Sequence, residues 1–217
     1  MKRVVIAVDG PSGAGKGTVA RAVARALGYR HVDTGAMYRA VAWAAAQRSG
    51  APATIAAEST IDMAEGRTAI DGHDVTSAIR TPEIDRASAA VARDPDVRAA
   101  LVARQRALGA DGGVVMEGRD IGTVVFPRAE VKVYLDASPE ERARRRAADP
   151  AHTGGKVSNV AHVAEDLAAR DKSDSTRSVA PLMKADDAEY IDTTGVPIED
   201  VVARVLAVVR TRTATGG

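Results

Sequence analysis

Residues 10–18 form a glycine-rich segment whose composition suits the binding of phosphate. In order, they are Gly10, Pro11, Ser12, Gly13, Ala14, Gly15, Lys16, Gly17 and Thr18. Glycine lets successive backbone N–H groups turn toward an anion, and a lysine can reach the β- and γ-phosphates of a nucleotide. The Thr18 hydroxyl is a possible ligand of Mg²⁺. The strict phosphate-loop pattern has Ser or Thr directly after the lysine, whereas here Gly17 stands between Lys16 and Thr18. A glycine-rich turn without a ligand is the alternative.

The elements around this segment favour the phosphate-binding interpretation. An apolar stretch at residues 3–8 predicts a buried strand before it. Residues 16–27 carry apolar side chains on one stripe and precede Gly28, which predicts a helix that begins at the lysine. Because a helix N-terminus carries a positive partial charge, this order of strand, turn, lysine and helix predicts a phosphate-binding loop.

A second anion site is predicted where Asp33 and Thr34 precede a helix over residues 35–47. Arg39 falls about one turn inside that helix, so its guanidinium and the helix N-terminus could act on the same anion. A solvated helix cap with a surface arginine is the alternative.

Residues 117–126 begin at the carboxyl end of a buried strand predicted at residues 113–117. Open α/β sheets bind their ligands at this end of the strands. Arg119 can bridge two phosphates there. Glu117 and Asp120 can hold the water ligands of Mg²⁺ or the edge of a base. An ion pair on the surface would account for the same residues.

Two further clusters combine charge with helical spacing. Arg170, Asp174 and Arg177 fall at i, i+4 and i+7, which places them on one face if the segment is helical. A second cluster is basic and comprises Arg142, Arg144, Arg145 and Arg146. A solvated helix face explains either cluster taken alone.

Composition excludes several classes of protein. The chain has 217 residues and no cysteine, which excludes disulfides, thiolate nucleophiles and sulfur-based zinc sites. A net charge of +1 and only one Trp, four Tyr and one Phe argue against a nucleic-acid-binding protein. No apolar run reaches the roughly 18 residues of a membrane span, so we expect a cytoplasmic protein.

Short β-branched runs alternate with helical stretches, which predicts an α/β fold with a parallel sheet. Further strands are predicted at residues 131–135 and 189–192, and further helices at residues 139–148, 160–171 and 198–209. Ser138 is the predicted N-cap of the first of these helices. Between about residues 62 and 82 the pattern changes to a small β-insertion, with β-prone pieces at residues 67–70 and 73–76. The polar residues 149–158 are either a surface loop or a mobile lid.

A phosphate-binding loop alone does not choose among kinases, GTPases and motors. The chain lacks the Asn-Lys-x-Asp run that reads guanine, and its GKGT sequence near the start is typical of nucleoside-monophosphate kinases. Seven segments then occur in the order found in the bacterial cytidylate kinase family, which the chain resembles from residue 3 to about 210. They are DGPSGAGKGT, DTGAMYRA, DVTSAIRTPEI, DVRAALVARQR, MEGRDIGTVVFP, VKVYLDAS and RDKSDSTRSVAPL.

The resemblance implies one P-loop kinase domain over residues 1–217. Its core would be a five-stranded parallel sheet with helices on both faces, joined by the β-insertion on the CMP side and a helical lid at about residues 142–175. The implied activity is transfer of phosphate from ATP, with Mg²⁺, to CMP and dCMP in pyrimidine metabolism. A monomer that binds neither nucleic acid nor membrane is expected.

The resemblance also assigns roles to residues. ATP would lie on residues 10–18 with Arg145 and Arg146 at the γ-phosphate, and Thr18 would bind the metal. Catalysis would depend on Lys16, Arg119, Arg170 and Arg177. CMP would meet Thr34, Arg39, Arg98, Arg119, Asp120, Arg170, Asp174 and Arg177. The family usually has serine where this chain has Ala89, and here Ser88 lies one residue earlier.

Two classes of alternative stay open on the sequence. A kinase of the same fold could phosphorylate UMP or dephospho-coenzyme A instead of CMP. A regulator could bind nucleotide without turnover, although the presence of Lys16, Arg39 and Arg119 argues against a degenerate site.

Overall fold

The computed structural model describes residues 3–64, 66–150 and 159–214. Its strands are β1 (Val5–Asp9), β2 (Arg30–Asp33), β3 (Ile61–Ala64), β4 (Arg67–Ile70), β5 (His73–Asp74), β6 (Val114–Gly118), β7 (Val131–Asp136) and β8 (Glu189–Asp192). Its helices are α1 (Lys16–Leu27), α2 (Thr34–Arg48), α3 (Pro52–Glu58), α4 (Pro82–Val91), α5 (Pro95–Leu108), α6 (Pro139–Ala148), α7 (Val160–Ser175) and α8 (Ile198–Ala214). A single π-helical turn spans Ile121–Val125.

In the described part of the chain, five parallel strands form the central sheet in the order β2-β6-β1-β7-β8. This confirms the predicted five-stranded parallel core. All five residues of β1 and of β6 are buried, as expected for central strands covered on both faces. Strand β2 was not predicted because Arg30–Asp33 has one fully buried apolar residue, Val32, and pairs only with β6.

Helices cover both faces of this sheet, as predicted. Alternate residues of β1 point to opposite sides, so Ile6 packs with α1 and α8 while Ala7 packs with the π-helical turn. On the first side, Val23 of α1 and Val205 of α8 are fully buried. The helices therefore hold the sheet in place from both sides, and the carboxyl ends of its parallel strands lie at one edge.

The predicted β-insertion is an antiparallel sheet, β3-β4-β5. Its Ile70 is completely buried and packs in a cluster with Met37 and Val41 of α2. The strand at Ile61–Ala64 was not predicted, and the strand predicted over residues 73–76 is limited to His73–Asp74.

Several helices differ from the prediction. Helix α7 continues to Ser175 instead of ending at residue 171, and α8 continues to Ala214 instead of 209. Helices α4 and α5 were missed, although each follows a capping residue, Thr81 or Asp94, with proline in the first helical position. The predicted cap Ser138 is confirmed, since its Oγ accepts from Glu141 N at 3.2 Å. Residues 151–158 of the predicted lid lie outside the described residues.

Asp9, the last residue of β1, connects the sheet to the loop that follows β6. Its two carboxylate oxygens accept hydrogen bonds from Ile121 N at 2.8 Å and Gly122 N at 2.7 Å. Burial raises the pKa of Asp9 to about 6, and the two N–H donors offset part of that effect. The carboxylate therefore fixes the position of residues 118–120 relative to β1.

We predict that Asp9→Asn changes how stability depends on pH. The unfolded chain releases the Asp9 proton near pH 3.8 and the folded chain near pH 6, so the contribution of this proton to folding is lost as pH rises between these values. From pH 4 to pH 7, the free energy of unfolding of the wild type should therefore fall by about 2–3 kcal/mol relative to the variant. Urea titrations of both proteins across this range measure the difference, and a constant difference would contradict the prediction.

Candidate active site

A cleft of about 1190 Å³ opens at the carboxyl ends of β1, β2 and β6. Residues 12–19, the start of α2, the loop after β6 and parts of α4, α6 and α7 line it. Single small-molecule sites have volumes of roughly 300–1,000 Å³, so this cleft has room for two ligands side by side.

The glycine-rich segment forms one wall of the cleft. Gly10 has a φ of 143°, and a Cβ atom there would lie 1.9 Å from the carbonyl oxygen of Leu135, so only glycine fits. Lys16 is buried and donates from Nζ to the carbonyl of Pro11 at 2.6 Å. Burial lowers the pKa of Lys16, and the positive charge of Arg119 lowers it further. A bound phosphate would oppose both effects, because its charge is negative.

Glu117 occupies the space that a hydroxyl side chain would take in the strict phosphate-loop pattern. A Cβ atom at Gly17 would lie 3.1 Å from Glu117 Oε1. The same oxygen lies 2.9 Å from Nε2 of His31 on β2. Thr18 is exposed and lines the same cleft as Glu117. Hydroxyl and carboxylate oxygens suit Mg²⁺, so the donors present fit the predicted metal.

These oxygens do not form a complete metal site by themselves. Among residues 3–64, 66–150 and 159–214, no group of three or more acidic or histidine side chains is placed to hold a metal ion. Mg²⁺ commonly keeps several water ligands and takes others from substrate phosphates, so a small protein donor set is sufficient.

The start of α2 supplies the second predicted anion site. Asp33 caps the helix by accepting from Ala36 N at 3.0 Å and also pairs with Arg39 at 2.9 Å. Burial raises the pKa of Asp33, but Arg39 and the Ala36 N–H outweigh burial and hold it below the usual value. Thr34 donates to the carbonyl of Glu117 at 2.7 Å, which joins α2 to β6.

Two ion pairs occupy the far side of the cleft. Arg119 pairs with Asp174 at 2.9 Å, and the buried Arg98 pairs with Asp120. Burial opposes ionisation of Asp174, but the neighbouring arginines 119, 170 and 177 outweigh it and lower its pKa. Arg177 lies just beyond the end of α7 and donates to the carbonyl of Asp174 at 3.2 Å. The predicted cluster therefore does meet, with two members in the helix and the third after it.

Several arginines of the cleft keep buried N–H groups that no atom in the described part of the chain accepts. Among the described residues, these atoms are Arg39 Nε, Arg98 Nε, Arg170 Nε and Arg177 Nη2. Buried donors in native proteins nearly always have partners. The unsatisfied donors therefore point to a ligand that is rich in acceptor oxygens or ring nitrogens.

The arginines of the basic cluster on α6 have different partners and different exposure. Arg142 is buried, pairs with Asp171 and donates to the carbonyl of Ser12 at 3.1 Å, so it supports the phosphate loop from behind. Arg144 is exposed and pairs with Glu141. Arg145 donates to the carbonyl of Thr193 at 2.6 Å.

Arg145 and Arg146, which the resemblance places together at the γ-phosphate, turn to different neighbours. Arg145 lies beside Gly15 of the phosphate loop, whereas Arg146 pairs with Asp85 on α4. Both line the cleft. Thr193 and Asp85 were not identified from the sequence, because each acts through a partner about 50 residues or more away in the chain.

Comparisons with known proteins agree with this geometry. The family model described as cytidylate kinase matches residues 6–211. A cytidylate kinase of Solibacter usitatus (strain Ellin6076) is 46% identical, over 99% of this chain and 96% of the relative. One from Pelotomaculum thermopropionicum (strain DSM 13744 / JCM 10971 / SI) is 49% identical, over 93% and 94%.

A solved structure supports the fold alone. A gluconokinase from Sinorhizobium meliloti 1021 superimposes with a TM-score of 0.53 at 17% identity, covering 99% of this chain and 96% of that one. Among the described residues, no helix is long and apolar enough to span a membrane.

We predict that Asp120→Asn destabilises the fold as well as the site. The substitution leaves the Arg98 guanidinium buried without its carboxylate and close to the like charge of Arg177. Breaking a buried pair in this way costs about 3–5 kcal/mol, so urea titration should show a loss of that size in the free energy of unfolding. Glu83→Gln, which removes an exposed carboxylate 3.9 Å from Arg86, is the control and should behave like the wild type. Equal stability of the two variants would contradict the prediction.

Proposed function

This chain belongs to the cytidylate kinase family, and on that premise we propose that it transfers the γ-phosphoryl group of ATP to CMP. The products are ADP and CDP, and dCMP is a second acceptor. The proposal rests on one observation: a phosphate loop and buried arginines line the same cleft, which has room for two nucleotides. These arginines keep N–H donors that no atom of the described residues accepts.

ATP binds at the phosphate loop. Backbone N–H groups of residues 10–18 surround its phosphates, and Lys16 at the start of α1 reaches the β- and γ-phosphates. Arg145 lies beside Gly15 at this end of the cleft, whereas Arg146 lies nearer the acceptor. The Thr18 hydroxyl and the Glu117 carboxylate would hold Mg²⁺, which would neutralise part of the phosphate charge.

CMP binds opposite, with its phosphate among Arg39, Arg119 and Arg170. The spare Nε donors of Arg39 and Arg170 supply two of the contacts, and Thr34 marks the adjoining end of the site. Asp174, which lies next to Arg119, meets the ribose hydroxyls. Charge-assisted contacts of this kind are shorter and stronger than neutral ones, so they fix the position of the acceptor oxygen.

Cytosine is selected by the buried pair beyond the phosphate. Asp120 accepts from the exocyclic amino group, while Arg98 and Arg177 donate to the ring through nitrogens that have no partner within residues 3–64, 66–150 and 159–214. Uracil reverses the donor and acceptor at positions 3 and 4, which would leave these buried groups mismatched. A site of this type can discriminate by about 10⁴-fold.

The transfer itself requires alignment and positive charge more than proton chemistry. A phosphate oxygen of CMP attacks the γ-phosphorus of ATP, one P–O bond forms, and the bond to the β-phosphate oxygen breaks. Because the attacking oxygen is already ionised, no strong general base is needed. Lys16, Arg119 and Arg170 stabilise the charge on the moving phosphoryl group. A helical lid over the cleft would exclude water, which would otherwise accept that group.

An assay of ADP release with CMP, dCMP, UMP, AMP, GMP and dephospho-coenzyme A tests the proposal. We expect CMP and dCMP to be phosphorylated and the others to react far more slowly. Lys16→Ala, purified in parallel, should lower kcat by about 10²-fold or more, which shows that the activity belongs to this chain. Equal use of UMP would replace the proposal with a broader pyrimidine kinase, and binding without turnover would favour a regulator.

A second experiment tests the role of the missing serine. Ala89 and the buried Ser88 both line the cleft, but Ser88 already donates its proton to the carbonyl of Asp85 at 2.8 Å. We predict that Ala89→Ser adds one hydrogen bond to cytosine and widens the CMP-to-UMP ratio of kcat/KM by about 2- to 10-fold. Ser88→Ala should leave that ratio unchanged. If Ser88→Ala lowers it instead, the base contact has moved to Ser88.

A further inference from the structure

One carboxylate joins three helices at the cleft. Asp85 on α4 pairs with Arg146 on α6 and with Arg170 on α7, where Arg170 Nη1 lies 3.4 Å from Asp85 Oδ1. The Asp85 side chain is only 12% exposed. A second contact joins the turn after α4 to α7, since Arg93 donates to Ser173 at 3.2 Å.

The two arginines would separate without a shared negative charge. Burial lowers the pKa of Arg146, the charges of Arg170 and Arg39 act in the same direction, and Asp85 opposes them, so that the pKa is about 10. Burial also lowers the pKa of Arg170, with Arg119 adding to the effect and Asp85 again opposing it. Asp85 therefore offsets repulsion between cations that α2, α6, α7 and the loop after β6 bring together.

Asp85 and a phosphate can hold Arg170 at the same time. The carboxylate lies against Nη1, while the buried Nε has no acceptor among the described residues. The contact with Nη1 is an ion pair at 3.4 Å, and because the guanidinium is planar and rigid, holding one side of it also constrains the direction of Nε. A phosphate on the Nε side would meet an arginine that Asp85 has already oriented.

We propose that Asp85 is a positioning residue for phosphoryl transfer, which orients Arg146 and Arg170 toward the moving phosphoryl group. The inference rests on the proposed function and adds to it a residue that touches neither nucleotide. Loss of the carboxylate would leave the phosphate loop intact but displace two cations from the transition state. Displacements of about 1 Å can cost as much as 10²-fold in rate.

The test compares Asp85→Asn, Asp85→Ser and Asp85→Glu with Glu83→Gln, which removes an exposed carboxylate from the same helix. We expect Asp85→Asn and Asp85→Ser to lower kcat by about 10-fold or more while the KM for ATP changes by less than about 3-fold. Asp85→Glu should restore part of the lost kcat, and Glu83→Gln should match the wild type. Thermal melting shows whether each variant is folded at the assay temperature.

A double-mutant cycle with Arg170→Lys then tests whether Asp85 acts through the arginine. If it does, the combined loss in kcat is smaller than the product of the two separate losses. Independent losses, an unchanged kcat or a kcat that falls only with the folded fraction would overturn the inference. A higher kcat with a lower KM for CMP would also overturn it, because Asp85 would then compete with phosphate. Wild-type protein that does not phosphorylate CMP would instead refute the proposed function.

Discussion

The structure depends on holding several guanidinium groups close together before any phosphate is present to neutralise them. Like charges in a partly buried cleft repel, and each loses hydration, so each needs a carboxylate nearby. The chain provides these carboxylates on different elements. The pairs are Arg39 with Asp33, Arg98 with Asp120, Arg119 with Asp174, and Arg146 and Arg170 with Asp85. Arg39, Arg98 and Arg170 each keep a buried Nε donor that no atom of the described residues accepts, so the cleft can still bind anions.

The parallel sheet makes this arrangement possible because its strands all end at one edge. Strands β1, β2 and β6 are followed by the phosphate loop, the start of α2 and the loop that carries Arg119, so these three segments lie at the same edge of the sheet. Asp9 connects two of these endings through hydrogen bonds to Ile121 and Gly122. Arg142 connects the phosphate loop to α6 through the carbonyl of Ser12. The cations are therefore positioned by backbone elements as well as by their carboxylates.

Much of the fold could be predicted from local patterns. A parallel α/β core is indicated by the apolar runs of β1, β6 and β7, because strands that are buried on both faces are apolar throughout. The apolar stripes of helices α1 and α8 agree with it. Strand β2 is not predicted from the sequence, because this edge strand has only four residues, Arg30–Asp33. They include too few apolar side chains to show the alternation that is typical of a strand. Helix α7 was predicted too short because its last turn is polar and is held by contacts with the cleft.

The sequence by itself identified many of the residues that line the cleft. The glycines and lysine of residues 10–18 and the arginines 39, 119, 170 and 177 were identified from residue types, spacing and family resemblance. Only the tertiary structure decided which carboxylate each arginine meets, as with Asp85, or that Arg145 and Arg146 turn apart. The physical reason is that residue types and local spacing constrain backbone conformation over a few residues. An ion pair between Asp85 and Arg146 depends instead on how three helices pack, which no local pattern contains.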